Sequence, residues 1–377
     1  MTKEGGIADG AAVQVGRPTM SDVARLAGVS QTTVSLVLSG AAKARLAAST
    51  RDRVAQAAKS LGYQRAHRLL PGAASTETKV IGFVVNEMTT DPWCALALDG
   101  AREKAWEHGY TICTAVTGGD REMEGAVLAQ MAALPLLGII YGRVHTTRVD
   151  VPDALRRGRS VLINCYTSDK SLFSIVPGEV AAGHTATDYL IRAGHRRIGF
   201  INGEPWMDAS RDRLKGYRQS LVTADLPFDP ELVRVGNWQP PSGFTCARDL
   251  MRLADRPTAI FCANDLMAFG CIDALREQGL SVPDDISVMG FDDREMAQHM
   301  RPALTTLLLP HREIGARAAE FLIEGPGVSA SKTMQLKVEC PLIERESVAW
   351  LYSVKPAARV AEGPSGATVA KHARQRH

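Results

Sequence analysis

Cysteine is sparse and unpatterned. Seven residues (Cys94, Cys113, Cys165, Cys246, Cys262, Cys271 and Cys340) lie at wide, irregular spacing, with no CxxC. An odd count without paired spacing excludes a disulfide scaffold and a zinc-ribbon arrangement. Several of them sit in apolar runs such as 259–263, so buried free thiols in a reducing compartment are expected. Long apolar runs are missing too, and none reaches the ~18 residues that a membrane helix needs. The start, Met1-Thr2-Lys3-Glu4-Gly5-Gly6, lacks the apolar segment of a signal peptide. A cytoplasmic protein with no membrane role is the expectation. No P-loop, GxGxxG, G-x-S-x-G or metal-ligand spacing occurs. The chain is therefore read as a non-enzyme, with no cofactor and no metal. The net charge, +3, is too small to name a partner by itself.

Its distribution is more informative. Residues 17–70 carry nine Lys/Arg against two Asp/Glu, a net of +7, whereas 71–345 carry −6. A basic head on an acidic body suits a polyanion bound at the head alone. At 377 residues, 45% hydrophobic and 23% charged, the chain has material for two or three domains with a large core.

Within the basic head, residues 20–40 predict two short helices joined by a turn at Gly28, the second capped by Ser30. A third helix starts near Ser49 or Thr50, either of which is suited to cap it, and ends at Gly62. Val23, Leu26, Ala27, Val34, Val37, Leu38, Val54 and Leu61 are the expected core of this unit. Two close helices with small polar residues opening the second suit the major groove of double-stranded DNA. Gln31 is able to pair bidentately with adenine, and Thr32 offers a hydroxyl and a methyl for thymine. Ser21, Ser30, Thr33 and Ser35, with Arg25, Arg51 and Arg53, are phosphate-contact candidates; a solvated charge is the plainer reading of each arginine.

The texture changes at residue 79. Apolar strands alternate with helices of about twelve residues, the signature of parallel sheets covered on both faces. The pattern runs once to about 165 and restarts near 181, which predicts two α/β lobes with a cleft between polar strand ends. The resulting division is a flexible leader at 1–18, a helix-turn-helix head at 19–63, a hinge and linker at 64–78, a two-lobed domain at 79–345 and a disordered tail at 346–377.

Short phrases recur through that body: Gly194-His195-Arg196-Arg197-Ile198, Arg213-Leu214-Lys215-Gly216-Tyr217, Ala263-Asn264-Asp265, Val282-Pro283-Asp284-Asp285-Ile286, Gly290-Phe291-Asp292-Asp293 and Pro302-Ala303-Leu304-Thr305-Thr306. With the head, they cover about residues 19–345 in order, and the chain resembles the lactose-repressor family of bacterial transcription regulators. The resemblance implies a homodimeric repressor with a two-lobed core like that of periplasmic sugar-binding proteins, closing on a small effector. It implies base contact at Gln31, Thr32 and Leu36, although leucine replaces a customary basic residue there and cannot donate to guanine. It implies a hinge helix that inserts a leucine into the minor groove. The usual Ala-Arg-Ser-Leu phrase is absent, which leaves Arg68, Leu69 and Leu70 as candidates before Pro71.

For the cleft, the resemblance carries over an effector-gripping arginine at Arg213 and acids at Asp265 and Asp292. It also carries over a stacking tryptophan at Trp238 and an aromatic at Trp93. Asn264 is read either as a ligand contact or as a helix cap. Guanidinium, carboxylates and two indoles suit a sugar or sugar derivative, with a nucleobase or nucleoside, or a sugar acid, as the alternatives. The common Asp-Asn phrase is replaced by Ile175-Val176-Pro177-Gly178-Glu179, with Glu179 the available substitute. The dimer seam is expected along first-lobe helices, with Trp106 and Leu128 as packing residues. An enzyme, a transport-type sugar-binding module, and an activator or corepressor-dependent regulator on the same scaffold are the competing readings.

Overall fold

A computed structural model describes residues 19–38, 48–61, 79–325 and 335–351. The leader at 1–18, Gly62, the whole hinge and linker at 64–78, including Arg68, Leu69 and Leu70, and the tail from 352 lie outside the described residues, as does the side chain of Leu36.

The head contains α1 (Met20–Ala27), α2 (Gln31–Leu38) and α3 (Ala48–Ser60). Thr19 and Asp22 open α1 as a reciprocal capping box: each side chain accepts the other's backbone N–H, at 3.3 and 2.9 Å. Gly28 ends it in the left-handed region, at φ 64°. A Cβ there would meet nothing within 4 Å, so only the backbone conformation requires glycine. Ser30 caps α2 by accepting the Thr33 N–H at 3.1 Å. Val23, Val34 and Val54 are fully buried among Ala24, Ala27, Ala57 and Ala58. Two expectations are corrected. Leu26 is 57% exposed, because Val23, Ala24 and Ala27 already form the inward stripe of this short helix. Ser49 and Thr50 lie inside the first turn of α3 instead of capping it. Gly28→Val is expected to destabilise the head by about 1–2 kcal/mol, the cost of left-handed backbone for a residue with a Cβ. In a thermal melt followed by circular dichroism, the head transition should fall while that of the core stays in place.

The rest of the chain runs β1 (Val80–Val85), α4 (Trp93–Glu107), β2 (Thr111–Val116), α5 (Arg121–Ala133), β3 (Ile139–Arg148), α6 (Asp153–Arg157), β4 (Ser160–Tyr166), β5 (Ser174–Pro177) and α7 (Glu179–Arg192). It continues with β6 (Ile198–Asn202), α8 (Asp208–Thr223), β7 (Val233–Val235), α9 (Pro240–Met251), β8 (Ala259–Cys262), α10 (Asp265–Glu277) and β9 (Ser287–Met289). β10 (Thr306–Leu307), α11 (His311–Glu324), β11 (Gln335–Val338) and β12 (Leu342–Ile343) complete it.

The first lobe is a six-stranded parallel sheet in the order β11-β5-β4-β3-β1-β2. β1 shows why its strands are continuously apolar. Phe83 and Val85 face α4 and α11, while Val84, one residue out of phase, faces Leu128 and Met131 of α5. Leu128 is thus 1% exposed beneath the sheet and not at a dimer seam, whereas Trp106 is 37% exposed. The second lobe is a four-stranded parallel sheet in the order β7-β6-β8-β9. All seven cysteines are free and only Cys113 is exposed.

The lobes are not consecutive halves. The chain crosses between them after β5, between β10 and α11, and between β11 and β12, so α11 returns to pack on α4. Backbone bonds tie the crossings together: Gly178 N–H to Val338 O and Leu308 N–H to Pro341 O, both at 2.8 Å. Three short, linked crossings form a hinge about which packed lobes can rotate. Among the described residues, no helix is long and apolar enough to cross a membrane.

Candidate functional site

The cleft between the lobes narrows to a cavity of about 60 Å³. Trp93, His145 and His311 line it from the first lobe, and Arg213, Trp238 and Asp292 from the second. That volume holds roughly four waters at ~10–15 Å³ each. A larger ligand must move side chains or part the lobes.

Arg213 reaches the cleft because α7 and α8 cross at near contact. A Cβ on Gly183 would stand 2.4 Å from the Arg213 carbonyl, and one on Gly216 2.2 Å from that of Val180. The crossing sets Arg213 against Glu179 at the start of α7. Nε donates to Oε2 at 2.6 Å and Nη2 to Oε1 at 3.0 Å, a bidentate pair, and Nη1 donates to the Ala263 carbonyl. The guanidinium lies 3.5 Å from the centre of the Phe291 ring. Burial opposes its charge, but the adjoining Glu179 carboxylate outweighs it and pushes the guanidinium above its ordinary pKa. Glu179 sits at a helix N-terminus, where negative charge is favoured, and both its oxygens are engaged by Arg213.

Trp238 holds a left-handed backbone, φ 66°, and its indole lies on Gly203, where a Cβ would come within 2.0 Å of the ring. Asn264 caps α10 from the rim of the cavity. Its Oδ1 accepts the Met267 N–H and its Nδ2 donates to the Trp238 carbonyl, both at 2.9 Å, so it also positions the indole while lining the cavity. Asp292 borders the cavity at φ 114°, and burial drives its carboxyl well above the usual range against the pull of Arg213.

Asp265 is a correction. It is fully buried and does not line the cavity. It accepts the Thr306 hydroxyl at 2.6 Å and the Arg294 N–H at 2.8 Å, and so fixes the loop that presents Asp292. Burial raises its carboxyl pKa.

Sequence reasoning missed Asp91, His145, Arg294 and His311. Arg294 pairs with Asp91 across the cleft, from 203 positions away, and no local pattern announces such a contact. His311 stacks on Trp93, with centroids 5.1 Å apart, and its Nδ1 meets Asn164 Nδ2 at 3.0 Å. Burial lowers the pKa of His311 from 6.5 to about 3 and that of His195 to about 4. Both stay neutral in the folded protein while the unfolded chain protonates near 6.5. The stability these two imidazoles contribute is therefore complete above that pH and is lost as the pH falls towards 4, while the raised carboxyls of Asp265 and Asp292 act with the opposite sign. The test is the difference between two proteins: from pH 7 to 4.5 the denaturation midpoint of His311→Gln should rise relative to that of the unmodified chain.

In the head, Gln31 donates its side-chain amide to Ser21 Oγ, which ties the start of α2 to α1. Arg25 is exposed and pairs with Asp22. Ser30 bonds Thr33 through both side chains at 2.9 Å. The Ser35 hydroxyl lies 3.5 Å from Glu103 of α4. Arg51 and Arg53 lie exposed on the first half of α3, and Thr32 is half-buried at the start of α2. Among the described residues, no group of His, Cys, Asp or Glu is arranged to hold a metal.

A helix-turn-helix joined to a hinged, two-lobed core with a polar cleft defines a ligand-responsive DNA-binding regulator. Residues 19–66 match the model for bacterial regulatory proteins of the lacI family, and 187–348 match a periplasmic binding protein-like domain. The chain is 33% identical to the HTH-type transcriptional repressor PurR of Vibrio campbellii, over 81% of this chain and 91% of that one. It is 31% identical to the ribose operon repressor of Haemophilus influenzae, over 89% and 99%. Among solved structures, the transcriptional regulator CelR–cellobiose complex matches with a TM-score of 0.60 at 29% identity, covering 88% of this chain and all of that one. The chain belongs to the lacI family of bacterial regulatory proteins, a family of DNA-binding, non-enzymatic proteins.

Proposed function

We propose that this protein is a homodimeric transcriptional repressor that binds operator DNA through Gln31 and Thr32 and is controlled by a neutral sugar or sugar derivative in the cleft. The observation that carries the effector class is charge balance around two indoles. Arg213 is neutralised by Glu179, Arg294 by Asp91, and burial favours the protonated form of Asp292. Among the described residues lining the cleft, both guanidinium groups are already paired with carboxylates, so an anionic ligand would have to compete for one, whereas a hydroxyl-rich ring suits Trp93, Trp238 and Asp292. The relatives named as a ribose operon repressor and as a cellobiose complex support a sugar.

A thermal-shift screen of the full chain against neutral sugars, sugar acids and nucleobases tests this. A neutral sugar should raise the melting temperature through binding linkage. Stabilisation by an acid or a nucleobase, with none by neutral sugars, would overturn the ligand class. Footprinting on the upstream DNA separates repressor from activator by where the operator lies.

A further inference from the structure

The Arg294–Asp91 pair spans the cleft. Asp91 precedes α4 in the first lobe, and Arg294 follows β9 in the second. Each side chain is about one-fifth exposed, so solvent screens the pair only in part. Arg294 is held from several directions. Its backbone N–H donates to Asp265, Nε lies 3.4 Å from Asp292, and its guanidinium carbon is 4.9 Å from the centre of the Trp93 ring. The guanidinium thus covers the Trp93 indole inside a cavity of only about 60 Å³. A second side-chain bond between described residues joins the lobes beside the cleft: the Tyr166 hydroxyl donates to Asp208 at 2.7 Å.

We propose that Arg294 is an internal occupant of the effector site: paired with Asp91 and packed on Trp93, it straps the lobes together in the ligand-free protein, and an effector must displace it to reach Trp93. The pair then determines both which ligands enter and how far closure depends on ligand. The inference does not depend on whether the effector is a sugar.

Electron–electron distance measurements on the ligand-free full chain test it without a ligand. Spin labels at Met123→Cys on the first lobe and Val222→Cys on the second, in a Cys113→Ser background, use positions that are 50% and 73% exposed. Spin dilution isolates distances within one subunit. Arg294→Gln should shift the interlobe distribution to longer, broader distances. Asp91→Asn should reproduce that shift, the double variant should add nothing further, and Arg294→Lys should keep the original distribution. An unchanged distribution in Arg294→Gln overturns the strap. So does opening by Tyr166→Phe alone, which would assign closure to the Tyr166–Asp208 bond.

Discussion

Arg213→Ala should abolish the effector response and weaken the core at the same time. Arg213 and Glu179 are 3% and 5% exposed, and removing one member of such a pair strands the other charge. The expected cost is about 3–5 kcal/mol, the usual penalty for breaking a buried ion pair. Lost response in this variant alone would therefore not separate a binding role from damage to the fold. Arg213→Met combined with Glu179→Leu makes the distinction, since apolar replacement of both partners is often neutral for stability. The double variant should recover most of the denaturation midpoint and still fail to respond. A double variant that responds normally would remove Arg213 from the effector site.

The second large effect is at the other end of the molecule. Alanine at Gln31 and Thr32 should erase most discrimination between operator and random DNA while sparing salt-dependent background binding. A bidentate side-chain–base pair discriminates by about 1–3 kcal/mol, so the ratio of the two affinities should fall tenfold or more. Both affinities must be measured at one salt concentration, because phosphate contacts dominate the absolute values. Ser21→Ala should give a weaker version of the same defect by releasing the Gln31 amide from α1. An unchanged ratio in the Gln31 and Thr32 variants would take both residues out of the base-reading set.

Much of this architecture was legible in the residues. The two-lobed core follows from apolar strands of the β1 type, whose alternate residues are buried on opposite faces. Gly28 and Ser30 were legible because a left-handed turn and a cap have local chemical requirements. What escaped was either too short or non-local. β5 is only four residues long and ends in proline, too short for periodicity to register. Leu128 looked available for a partner, but the sequence does not say which helix face the sheet covers. Asp265 and Asp292 stand alike at strand ends. Only packing turns the first towards Thr306 and leaves the second on the cavity. Arg294 and Asp91 meet through the hinge crossings, which no local pattern encodes.

A single experiment joins the cleft to the DNA-binding head. Operator affinity of the full chain is measured by anisotropy at fixed salt, with and without a saturating concentration of the sugar that most raises the melting temperature. Coupling between two such sites is expected at about 1–3 kcal/mol, a change of 5- to 150-fold in operator affinity. A sugar that binds the cleft with the same affinity in the presence and absence of operator, and leaves operator affinity unchanged, would contradict the account.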